Sequence, residues 1–274
     1  MTIENNDFPL VYCNGDSYSN NNYDESLQNS TYDFVVAKKF NGFNINNAIS
    51  GSCNRRIIRT SVADLLEQRK LNPTQRIIAL IGLSFDLRSE FWNDDFLKMP
   101  RRHEIDAESS VYESDFISYQ FSNAPNWVEL LKKGKIIEPL TKHAGTNFSK
   151  KFYNMLNNVR AFFFSPYAER INLYCDLIMF RALMDSLDIE FLVFNSPPRE
   201  TDMSNEATLD LFSHQIENDS RFIGFSEEFS FCEYLADNNF VPLDFIDNPS
   251  IGHFGSDGHK YFAENIILPL LNNT

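Results

Sequence analysis

The chain has 274 residues, 43% hydrophobic and 14% aromatic, enough to bury a sizeable core as one large α/β domain, with or without an insertion. A formal charge of −14 and a pI near 4.8 argue against nonspecific binding to nucleic acid or anionic membrane, which needs basic surface. No stretch approaches the roughly 18 continuous apolar residues of a membrane span, and Met1 to Asp7 is polar and acidic, unlike a secretory leader, so a cytoplasmic protein is expected.

In chain order, Pro9 to Cys13 predicts a short buried strand and Tyr32 to Phe40 a helix. Asn44 to Ile49 predicts a second strand, and Arg55 to Lys70 an amphipathic helix with Ile58, Val62, Leu65 and Leu66 on one face. Ile77 to Ile81 is a continuous apolar run, as in a central parallel strand. Residues 86 to 150 carry many charges and the aromatics Phe91, Trp92, Phe96, Tyr112, Phe116, Tyr119 and Trp127 without clear periodicity. Irregular segments of that length usually act as lids or binding loops, so an insertion or lid within a single domain of residues 1 to 274 is expected. Phe148 to Ser186 predicts two helices broken near Ser165-Pro166, and Ile189 to Phe194 another buried strand. Glu206 to Ile216, Glu227 to Asp237 and Ser256 to Leu271 predict helices. Strands alternating with helices imply an α/β fold, a mostly parallel sheet with helices on both faces.

Four polar clusters fall just after strands or before the last helix, where such a fold presents its ligands. Asn14-Gly15-Asp16-Ser17 follows the first strand; alone it is an ordinary turn, but Gly15 would let the chain bend and expose the Ser17 hydroxyl. Ser50-Gly51-Ser52-Cys53-Asn54 leads into a helix; its N–H groups could hold an oxyanion, or Ser52 or Asn54 could simply cap the helix. Gly82-Leu83-Ser84 follows the third strand, and Ser84 offers a hydroxyl donor. His253-Phe254-Gly255-Ser256-Asp257-Gly258-His259 precedes the terminal helix, which Ser256 or Asp257 could cap. His253, Asp257 and His259 are metal-ligand types, but no further ligand cluster accompanies them, and no metal or cofactor is expected. Cys13, Cys53, Cys175 and Cys232 form no CxxC pair and are expected as reduced thiols filling core space.

Taken together these clusters resemble the SGNH, or GDSL-type, hydrolase family, in order and spacing from residue 10 to 268. Gly15-Asp16-Ser17 is similar to its first block, Gly51 to the second-block glycine, Gly82-Leu83-Ser84 to its Gly-x-Asn-Asp, and His253 before Gly258-His259 to its last block. The phrase from Ser50 to Thr60 looks most like a divergent branch found in tailed-phage genomes. The resemblance implies a three-layer α/β/α sandwich of flavodoxin-like type. It also implies Ser17 as nucleophile, His253 as base, and Ser17, Gly51 and Ser84 as oxyanion donors. Ser84 replaces the family's oxyanion asparagine, and Phe254 its usual proline. Ser250 replaces the family's acid, three residues before the histidine, so Asp247 is the expected substitute, or else a Ser-His dyad. The implied function is a serine esterase on small acyl or acetyl esters, including those of a saccharide, without nucleic-acid or membrane partners. The alternative is a catalytically weak or inactive fold kept as a binding or structural module, for instance in a phage particle.

Overall fold

Alternate residues of the apolar runs turn to opposite sides of one sheet, and both sides are dry. The computed structural model describes residues 8–20, 27, 29–50, 52–85, 88–92, 116–120, 166–198, 207–225, 229–244 and 252–272. The strands are β1 (Leu10–Asn14), β2 (Phe43–Asn46), β3 (Ile77–Leu83), β4 (Arg88–Trp92), β5 (Phe116–Gln120), β6 (Glu190–Asn195) and β7 (Phe222–Ile223). The helices are α1 (Tyr32–Lys39), α2 (Asn54–Leu71), α3 (Pro166–Ser186), α4 (Ala207–Glu217), α5 (Phe231–Asp237), α6 (Ser256–Phe262) and α7 (Leu268–Leu271), with a π turn at Ala263–Ile267 between the last two.

Tyr12, Ala79, Ile81, Phe191 and Val193 face a core closed by Ile57 and Leu65 of α2 and by Leu177, Phe180 and Met184 of α3. Val11, Cys13, Ile78, Leu80, Leu192 and Phe194 face a second core closed by Val36 of α1, Leu235 of α5 and Phe262 of α6. Fully burying one such side chain is worth about 1.5–3 kcal/mol, so two apolar faces on each central strand force two helical layers. The result is an α/β three-layer sandwich. Its sheet is wholly parallel, in the order β2-β1-β3-β6-β7. All seven residues of β3 are buried, as a central strand requires.

Several boundaries differ from expectation for local reasons. β2 stops at Asn46 rather than Ile49, because the Asn46 side-chain Oδ1 accepts the Ala48 N–H and turns the chain. Asp33 braces this edge strand, accepting from the side-chain amides of Asn44 (2.9 Å) and Asn46 (3.0 Å); burial holds its carboxyl above the usual range. The break expected near Pro166 is the start of α3, where the missing proline N–H is one that no helix would use. β7, two residues long, is too short to show a period. The terminal helix widens at Ala263–Ile267, and Leu268 N–H bonds back to Ala263 O. The next residue, Pro269, lacks an N–H and would crowd the carbonyl four residues behind it, which the wider turn relieves.

Most of the expected insertion at 86 to 150, including Phe96, Tyr112 and Trp127, lies outside the described residues, as does the expected helix before Pro166. β4 and β5 within the insertion form an antiparallel pair, a regular element where none was predicted. Among the described residues no helix is long and apolar enough to cross a membrane.

Candidate active site

The strand order reverses direction between β1 and β3. The chain leaves β1 for β2 on one side, then builds β3, β6 and β7 on the other. In open α/β sheets loops diverge at such a point, and ligands bind beyond the strand ends there. The turn after β1 and the residues after β3 border this point.

The β1 turn is held from below. The Asn14 amide donates to Thr60 Oγ1 (2.8 Å) and Ser61 Oγ (3.0 Å) on α2, and its oxygen accepts the Gly15 N–H (2.8 Å). Gly15 is needed for close approach rather than for an unusual bend. Among the described glycines only Gly224 has a positive φ, 76°. A Cβ at Gly15 would instead meet Ser19 Cβ at 2.7 Å and the Gly82 carbonyl oxygen at 2.9 Å. Gly15→Ala is therefore expected to cost about 1–3 kcal/mol of stability through overpacking, read as a lowered urea midpoint at unchanged slope; an unchanged midpoint would contradict this packing.

Asp16 is fully buried and knots the turn. It accepts the Tyr18 N–H (3.1 Å) and the Ser84 hydroxyl (2.7 Å). Asn54, the first residue of α2, clamps the Ser84 backbone: its oxygen accepts the Ser84 N–H (2.7 Å) and its amide donates to the Ser84 carbonyl (3.2 Å). Two expectations fail here. A hydroxyl has one proton to give, and that of Ser84 goes to Asp16 rather than toward an oxyanion; it joins β3 to the turn after β1. Nor does Asn54 or Ser52 cap α2: the cap residue is Cys53, with no side-chain hydrogen bond. Likewise α6 is preceded by Gly255 and lacks a side-chain cap from Ser256 or Asp257.

Ser17, 9% exposed, points its hydroxyl at His253, with Oγ 2.8 Å from Nε2. The other ring nitrogen, Nδ1, lies 2.6 Å from Asp244 Oδ2, and the His253 backbone N–H donates to Asp244 Oδ1 (2.7 Å). Both carboxylate oxygens thus engage one residue, which fixes the ring plane. Burial works against the charge on Asp244, but the hydrogen bonds from the His253 ring and backbone outweigh it and hold the carboxyl below its usual range.

The carboxylate on His253 Nδ1 is Asp244, nine residues before the histidine, where the sequence led to the expectation of Asp247. Asp247, Ser250 and Gly51 lie outside the described residues. Asp244 arrives by a short antiparallel contact: Pro242 bridges to Phe254, and Leu243 N–H donates to His253 O (2.6 Å). This contact folds the strand-like end at 242 to 244 back over the histidine loop. Counting residues from His253 does not show it, because the pairing is a long-range contact with no sequence period.

Among the described residues, the Ser17 N–H has no hydrogen-bond partner, which leaves a donor beside the hydroxyl. No group of three His, Cys, Asp or Glu side chains among the described residues could hold a metal ion. The arrangement can move a proton from Ser17 Oγ to His253 Nε2 while Asp244 balances the imidazolium formed.

His259, in the first turn of α6, is 2% exposed and stacks on Tyr32 with ring centres 5.5 Å apart. Burial first, and then the neighbouring His253, lowers its pKa to about 3. Unfolded histidine titrates near 6.5. Between those values the unfolded chain binds a proton that the folded chain does not, so stability falls as pH falls through that window. His259→Phe is expected to reduce the stability lost between pH 7 and pH 5 by about 2 kcal/mol, measured by urea unfolding at both values. An equal loss in both proteins would contradict a neutral buried His259.

Compared with known proteins, the chain matches no protein-family model and no curated sequence.

Proposed function

We propose that the chain is a serine ester hydrolase of the SGNH type, acting on small acyl or acetyl esters, including those carried by a saccharide. The observation that carries this reading is the continuous line of hydrogen bonds Ser17 Oγ, His253 Nε2, His253 Nδ1 and Asp244. Ser17 Oγ attacks the ester carbonyl as His253 Nε2 takes its proton. The tetrahedral intermediate collapses, the alkoxide leaves, and it takes that proton from His253. Water then attacks the acyl-enzyme, giving its proton to His253, which returns it to Ser17 as the carboxylic acid departs. The Ser17 N–H faces the developing oxyanion, and Gly51 is the second donor that the family resemblance implies. Each such donor is worth about 3–4 kcal/mol of barrier.

A second reading, a fold kept for binding with little catalysis, draws support from Ser84, whose donors are spent on Asp16 and Asn54. The two readings separate on hydrolysis of p-nitrophenyl acetate by the purified chain beside Ser17→Ala. Turnover that depends on Ser17 supports the hydrolase; equal background rates support the binding module.

A further inference from the structure

The residue after the nucleophile has a role that hydrogen bonds alone do not express. The Tyr18 ring lies over the His253 imidazole, with centres 4.6 Å apart and planes 15° from parallel. Tyr18 is 5% exposed, and Phe85 packs across it in an edge arrangement at 6.2 Å. Its N–H is tied to Asp16. One three-residue turn therefore carries both the attacking hydroxyl and a rigid aromatic face against the base.

We propose that Tyr18 is a positioning residue that holds the His253 ring in register with Ser17 and stabilises the imidazolium as it forms. The proposal rests on the acyl-transfer reading. The face of an aromatic ring carries negative electrostatic potential and attracts a cation stacked on it, more strongly where water is excluded. The base is neutral before proton transfer and cationic after it, so the attraction grows along the reaction coordinate, as catalysis requires. Asp244 supplies charge in the ring plane, and Tyr18 supplies it from above. Of the ionisable groups around the site, His259 on α6 interacts electrostatically with His253, and Cys232 on α5 with Asp16, Glu233 and Asp244. None of these is stacked on the His253 ring among the described residues.

The ring face, not the Tyr18 hydroxyl, is the active feature, and this separates the proposal from simple packing. Replacing Tyr18 by phenylalanine keeps shape and face; replacing it by pentafluorophenylalanine keeps the shape and inverts the electrostatics of the face. The test is the rate at which a fluorophosphonate labels Ser17 in the intact chain, together with kcat and KM for p-nitrophenyl acetate. Tyr18→Phe is expected to stay within about threefold of wild type, and the fluorinated variant to lose about tenfold in labelling rate and kcat with little change in KM. Tyr18→Leu, which removes the face entirely, should lose at least as much. Equal rates for the phenylalanine and pentafluorophenylalanine variants overturn the proposal, as does a Tyr18→Phe loss as large as that of Tyr18→Leu. An unlabelled wild type overturns the acyl-transfer reading and this proposal with it, whereas a labelled wild type with an unaffected fluorinated variant overturns this proposal alone.

Discussion

Asp244→Asn is expected to lower kcat for ester hydrolysis by roughly 10³–10⁴-fold, while unfolding free energy falls by only about 1–3 kcal/mol. The reason is tautomeric. Asp244 accepts from both the His253 backbone N–H and ring Nδ1. An asparagine keeps its carbonyl oxygen on the backbone N–H and turns its amide toward Nδ1. That nitrogen must then be the bare one, and the ring proton moves to Nε2, which can no longer accept from Ser17. The countercharge for the imidazolium is lost at the same time. Asp247→Asn, the change at the carboxylate nearer in sequence, is expected to lower kcat far less than Asp244→Asn, because Asp244 is the carboxylate bonded to His253. A large loss at Asp247 with none at Asp244 would contradict the geometry described above.

Ser17→Ala is expected to lower kcat by roughly 10⁵–10⁶-fold, and His253→Ala by a comparable factor. The double variant should be no worse than either single one, because a nucleophile without its base and a base without its nucleophile fail at the same step. Stability should change little for Ser17→Ala. The lost hydroxyl gives up one hydrogen bond, to the ring of a partly exposed histidine. A double variant whose loss is the product of the two single losses would mean that Ser17 and His253 act independently.

Most of the sheet is legible in the sequence because parallel strands buried on both faces must be apolar at every position. Leu10 to Cys13, Ile77 to Ile81 and Phe191 to Phe194 announce themselves in that way. The serine and the histidine are legible only together: Gly15-Asp16-Ser17 alone is an ordinary turn, and it is the family resemblance that links it to His253 before Gly258-His259. Three features are not legible. Ser84 has the right position for an oxyanion donor, but whether a hydroxyl faces a ligand or a neighbour depends on what lies opposite, and Asp16 lies 68 residues earlier in the chain. Asp244 reaches His253 through a two-residue antiparallel contact with no periodicity to detect. The Tyr18 stack is set by where the last loop returns to the first turn, 235 residues later, and a tyrosine in a turn carries no local sign of it. In each case the missing information is a long-range pairing rather than a local propensity.

The central claim is that Ser17 is a nucleophile activated by His253. The most direct measurement is reaction of the intact chain with a fluorophosphonate, followed by mass spectrometry of its peptides. Attack by Ser17 Oγ forms the O–P bond and expels fluoride, with the serine proton passing to His253. The account predicts a single adduct, on the peptide containing Ser17, absent from Ser17→Ala and slowed by several orders of magnitude in His253→Ala. No adduct on folded protein, or one that persists in Ser17→Ala, would contradict it.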